Sequence, residues 1–175
     1  MLALLLAVRL GSAWLDPAAS APALKAAFLY NFAKFSEWPD DAPSGGPVSI
    51  CVLGESAVAD ALDGIVRGRT IDGRDILVTR PRPDAPLRSC HILYIGDVEP
   101  RRTALLLETL RDAPILTVAD RDRYARWTGV ATLFVDNGHM RFTINVDAAQ
   151  HTRIRISSRV LSLATIVRDT PDVRH

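Results

Sequence analysis

The stretch Val48-Ser49-Ile50-Cys51-Val52-Leu53-Gly54-Glu55-Ser56 decides how this chain folds. Its first six residues make an apolar run of strand length, and Gly54 punctuates it. From Ser56 or Ala57 to about Asp63 the pattern changes to helical spacing, with Ala57, Val58, Ala61 and Leu62 as the inward set. A strand that runs directly into a helix is the first half of a strand–helix–strand unit, and such units build parallel sheets.

The same alternation extends in both directions. Upstream, Leu24, Phe28, Phe32 and Phe35 mark one face of a first helix, which Pro39 ends because the residue before a proline is pushed out of helical geometry. Residues 40–47 are a turn-rich connector. Downstream, residues 67–74 have hairpin chemistry around Asp72-Gly73, leading to a strand over 76–79 and a proline-rich stretch over 80–86. A continuously apolar strand over 90–95, a helix over 101–111 and a strand over 115–118 follow. Residues 120–128 read as a short helix carrying Tyr124 and Trp127. Asp136-Asn137-Gly138 joins strands over 131–135 and 140–144, since Asn-Gly is a strong hairpin signal. A helical turn over 146–151, a strand over 153–156 and a last helix capped by Ser158 complete the chain. That helix has Val160, Leu161, Leu163, Ala164 and Val167 as its apolar set. The fold class is α/β: a single-domain sandwich with a central, mostly parallel sheet, an antiparallel hairpin at one edge and flanking helices.

Composition agrees with one globular domain. At 175 residues, 48% hydrophobic and 23% charged, the chain has material for a full core and no signature of disorder. A formal net charge of +1 leaves no electrostatic footprint for nucleic acid. The N-terminus carries a short apolar run, Met1 to Val8, then Arg9 and a small-residue stretch to Pro22. It is too short to span a membrane, which takes about 20 residues. It fits a secretory leader over residues 1–21, with Ala19-Ser20-Ala21 as the cleavage triplet, and leaves 22–175 as the folded domain. A native hydrophobic N-terminal helix is the alternative.

Cys51 and Cys90 are the only cysteines. An even count in an exported chain favours a disulfide, and two neighbouring strands bring such residues within reach. Two buried free thiols are the alternative.

No reactive constellation reaches motif strength. No serine sits in a G-x-S-x-G elbow, and no Walker or dinucleotide glycine pattern follows a strand. His91, His139, His151 and His175 lack metal-ligand spacing. No catalytic, cofactor-binding or metal-binding residue is therefore assigned. Trp38, Tyr124 and Trp127, aromatic residues at loop–helix junctions, are the candidates for a partner or ligand surface.

Six segments in order resemble the YfiR-like family of bacterial periplasmic proteins. They are residues 25–35 with Trp38-Pro39, then 50–54, 90–95, 115–120, 140–145 and 156–164. The resemblance implies a periplasmic α/β protein that is not an enzyme, needs no cofactor and self-associates, as a homodimer. It also implies a partner, the periplasmic domain of a membrane-anchored signalling protein. In the best understood member that partner is an inner-membrane diguanylate cyclase, which is repressed, so that cyclic-di-GMP and biofilm formation are tuned. Neither nucleic acid nor membrane insertion after leader removal is implied. Cys51 and Cys90 occupy the positions of the family's structural disulfide. A second cysteine pair found in some members is absent, so redox sensing through it cannot operate. Thr128-Gly129 stands where the family usually has Gly-Gly. The alternative function is a periplasmic small-ligand sensor or carrier, with its pocket at the strand C-termini near Gly54 or Gly96.

Overall fold

The computed structural model describes residues 17–82, 84–120 and 128–169, with side chains from residue 21 onward. Helix α1 (Pro17–Lys34) is followed by the two-residue strand β1 (Ser36–Glu37), the connector, and strand β2 (Val48–Leu53). Helix α2 (Ser56–Val66), strands β3 (Thr70–Ile71), β4 (Arg74–Thr79) and β5 (Ile92–Ile95), helix α3 (Pro100–Leu110) and strand β6 (Leu116–Asp120) come next. The second half adds β7 (Ala131–Asp136), β8 (His139–Asn145), α4 (Val146–His151), β9 (Arg155–Ile156), α5 (Ser158–Leu161) and β10 (Thr165–Val167).

Eight strands form one sheet in the order β10-β8-β7-β6-β5-β2-β4-β3. The β4-β2-β5-β6-β7 run is parallel throughout, as the strand–helix alternation requires. Both hairpins turn on residues with positive φ, Asp72-Gly73 at 50° and 75° and Asn137-Gly138 at 48° and 75°. Those are the angles of the two-residue turn that matches strand twist. Alternate residues divide the core. Ile50, Val52, Ile92, Tyr94, Leu116 and Val118 face α1 and α2, while Cys51, Leu53, Leu93, Ile95 and Ala119 face α3. Coverage on both faces explains why the central strands are mostly apolar, interrupted only by residues such as Ser49 and Thr117.

Four local expectations are corrected. The buried stripe of α1 is Ala26, Leu29, Phe32 and Ala33, and Leu24 is 46% exposed. In α2 the inward residues are Val58, Ala59, Leu62 and Val66; Ala57 is exposed, and the helix runs three residues past Asp63. Helical phase set by the sheet, rather than the densest apolar run, decides both stripes. The strand expected over 90–95 begins at Ile92, with Cys90 and His91 before it. The last helix ends at Leu161, and Thr165-Ile166-Val167 is a strand paired parallel to β8. These three residues are all β-branched, and the open edge of β8 supplies the ladder partners that a helix would forgo. Its N-cap is Ser157, not Ser158.

Candidate functional site

One polar cluster gathers residues from four separate elements at the C-terminal rim of the parallel strands. Lys25 of α1 lies over the rim, Glu55 follows β2, Tyr94 belongs to β5 and Asp120 ends β6. Lys25 Nζ donates to Glu55 Oε1 and to Asp120 Oδ2, each at 2.8 Å. Tyr94 Oη reaches Glu55 Oε2 at 2.7 Å and Asp120 Oδ1 at 3.2 Å, so its single hydrogen is shared by two acceptors. The ammonium also sits 5.9 Å from the Tyr94 ring centroid, within cation–π range.

Close backbone contact fixes this arrangement. Gly96 N–H donates to Leu53 O at 2.8 Å, and a Cβ on Gly96 would lie 2.6 Å from Glu55 Cβ. Glycine alone lets the two loops approach closely enough to aim the Glu55 carboxylate at Tyr94.

The electrostatics define what the cluster does. Burial by itself would lower the Lys25 pKa, but hydrogen bonds and charges from Asp120 and Glu55 outweigh it and raise the value above 10.5. Burial, then the neighbouring carboxylates, raises the Tyr94 phenol well above its ordinary value. A Schiff-base lysine or a phenolate nucleophile needs shifts of the opposite sign. The cluster locks α1 to the sheet at the rim where open α/β sheets commonly bind ligands.

A second hub lies at the opposite end of the strands. His91, 1% exposed, precedes β5. Its Nδ1 accepts from Ser49 N–H at 3.0 Å, and its Nε2 lies 2.9 Å from Pro43 O. Burial first, and then the Arg74 charge, hold its pKa below 6.5 against the Pro43 hydrogen bond. Trp38 is half-buried, stacks edge-on against this imidazole and donates its indole N–H to His91 O at 3.2 Å. Both ends of the α1 region are thus pinned to one sheet, with Phe28 and Phe32 packed on Phe142 between them.

Cys51 and Cys90 are joined as a disulfide with Cα atoms 5.8 Å apart, tying β2 to the entry of β5. Their side chains are buried beneath α3. An open groove of about 870 Å³ lies between α3 and α4, with Ala104, Leu107 and Val130 among its apolar lining and Arg101, Arg111 and His151 among its polar lining. Arg101 and Arg102 open α3 against its dipole, but Glu99 accepts both their backbone N–H groups at 2.9 Å and restores a favourable charge there.

Of the three aromatic candidates, Trp38 joins the His91 hub, while Tyr124 and Trp127 lie outside the described residues, as does most of the helix expected over 120–128. The sequence reading missed the Lys25 cluster. Its signal is present nonetheless: Lys25, Tyr94 and Asp120 are each an ionisable side chain in a largely apolar segment. Among the described residues, no group of three or more His, Cys, Asp or Glu is placed to hold a metal ion.

The family model described as YfiR/HmsC-like matches residues 22–165. The chain belongs to this family. Members of the YfiR/HmsC-like family are periplasmic regulatory proteins rather than catalysts. Among solved structures, the chain resembles a conserved domain protein from Vibrio cholerae O1 biovar El Tor at 15% identity and a TM-score of 0.51. The alignment covers 82% of this chain and 60% of that one, and likeness at this identity speaks for the fold alone. Among the described residues no helix is long and apolar enough to cross a membrane.

Proposed function

We propose that this YfiR/HmsC-like chain is a periplasmic, non-enzymatic regulator. It binds the periplasmic sensor domain of an inner-membrane diguanylate cyclase and represses it, so that cyclic-di-GMP and biofilm formation stay low. The observation that carries this reading is the family match over residues 22–165. The match starts immediately after Ala19-Ser20-Ala21, which supports a leader over residues 1–21 removed on export. A buried disulfide suits an oxidising compartment. The docking face includes Trp38 together with Tyr124 and Trp127, and the regulator acts as a homodimer.

Deleting the gene in a strain that retains its membrane cyclase tests the proposal. Cyclic-di-GMP should rise, and cross-linking in living cells should capture that cyclase through its periplasmic domain. Unchanged cyclic-di-GMP with no cyclase captured would refute it.

A second reading, a periplasmic small-ligand sensor or carrier, is favoured by the groove between α3 and α4, whose volume lies within the range of small-molecule sites. Native mass spectrometry of protein taken from the periplasm separates the two. A stoichiometric small ligand supports the second reading, and a bare chain supports the first.

A further inference from the structure

The geometry around His91 fixes its protonation state. Ser49 points a backbone N–H at Nδ1 from 3.0 Å, so Nδ1 carries a lone pair. Nε2 lies 2.9 Å from Pro43 O, which only accepts, so Nε2 carries the hydrogen. Arg74 reaches in from β4 to 3.2 Å from Nε2, while its own hydrogens go to Gly46 O, Pro43 O and Pro47 O. Trp38 covers the ring edge-on. The groups facing the imidazole are therefore one guanidinium from β4, backbone from β2 and the connector, and an indole. Among the described residues, no carboxylate bonds to the ring to welcome a second positive charge.

We propose that His91 is an acid-operated clasp, in which proton uptake at Nδ1 frees the Trp38 end of the connector and bares Trp38, while Arg74 keeps its hold on Pro43 O, Gly46 O and Pro47 O. A hydrogen on Nδ1 would face the Ser49 N–H at 3.0 Å, donor against donor. The new imidazolium would also sit buried beside the Arg74 guanidinium. Both effects drive the ring outward to water. Pro43 O then loses its imidazole donor, and Trp38 loses both its packing surface and the fixed position of His91 O. On the outer side of the connector, Asp41 pairs with Arg153 Nη2 at 2.7 Å, and that hydrogen bond holds the Asp41 carboxyl below its ordinary pKa. Arg153 and Arg74 hold residues 41–47 through groups other than the imidazole, so the connector opens at its Trp38 end alone. The direction of the His91 pKa, below 6.5, sets the window on the acid side of that value.

A variant carrying Trp14→Phe and Trp127→Phe leaves Trp38 as the emitting indole. On titration from pH 8 towards 4.5, its emission should shift to the red and acrylamide quenching should increase, with a midpoint below pH 6.5, while far-ultraviolet circular dichroism stays constant. Adding His91→Gln, whose amide does not titrate, should flatten the response. Should that variant fail to fold, nitrogen NMR of the His91 ring in the natural sequence decides: Nδ1 must gain its proton at the midpoint of the Trp38 change. Trp38 emission that holds until global unfolding overturns the proposal, as does a Trp38 transition without Nδ1 protonation.

Discussion

Lys25 and Asp120 are 95 residues apart in the chain and meet at 2.8 Å. The contact closes α1 over the far end of β6 and completes a cluster in which one cation serves two carboxylates. Its side chains are only 13% to 20% exposed, so water replaces little of what a lost partner supplied.

Lys25→Met should therefore destabilise the protein by about 3 kcal/mol, the low end for breaking a buried ion pair. For a chain of this length that corresponds to a fall in Tm of roughly 9 °C. Thermal unfolding checks it. A loss below about 1 kcal/mol would place the cluster with ordinary surface pairs.

The same cluster sets the alkaline limit of stability. Lys25 and Tyr94 both have folded pKa values raised above their unfolded ones. Their contribution is fully present below pH 10 and is lost as pH rises through the folded values, because the unfolded chain gives up those protons first. Urea unfolding between pH 8 and 11.5 should show a steep decline, and the double variant Lys25→Met/Tyr94→Phe should be distinctly flatter over that window.

On the acid side the sign reverses, with His91 as the group. Its folded pKa is lowered, so its neutral form is favoured in the fold, and the unfolded chain binds the proton first. Stability is full above pH 6.5 and falls as pH drops below it. A His91→Gln variant should be less stable at pH 8 but lose less on moving to pH 5. Parallel denaturant curves at the two pH values measure both.

The disulfide closes a separation of 39 residues, for which loop-closure entropy gives about 4 kcal/mol. The Cys51→Ala/Cys90→Ala variant should lose stability of that order. Because the two residues are 3% and 1% exposed, thiol counting on folded protein in mild reductant should find almost no free sulfhydryl until denaturant is added. Rapid reduction of the native protein would contradict the packing of α3 over the bridge.

Two glycines should respond in opposite directions. A Cβ on Gly96 meets Glu55 Cβ at 2.6 Å, so Gly96→Ala should cost about 2 kcal/mol through forced backbone movement. Gly64, inside α2, has open space within 4 Å of where an alanine methyl would stand, and Gly64→Ala should stabilise by up to about 1 kcal/mol. Chemical denaturation of both variants tests the pair.

Much of the architecture was legible before folding was considered. The apolar runs at 48–53 and 90–95 (of which the strand takes 92–95), the Asp72-Gly73 and Asn137-Gly138 turns and the alternation of strand and helix are local features. Backbone sterics and burial on two faces act on them wherever they occur. The six family-like segments are likewise linear patterns, which is why membership was readable from order and spacing. The fate of Thr165-Ile166-Val167 was not local: β-branched residues after a helical turn become a strand only because β8 leaves an edge open.

The chain alone determined an α/β domain of a regulatory family, its Cys51–Cys90 pairing through family likeness, and its lack of reactive motifs. Tertiary structure alone decided that Lys25, Glu55, Tyr94 and Asp120 form one cluster and that His91, Arg74 and Trp38 form another. The reason is physical. Apolar patterning repeats along the chain with the period of its own helix or strand, whereas a charge network has no period. Its members are chosen by which loops the sheet brings together, across separations of up to 95 residues.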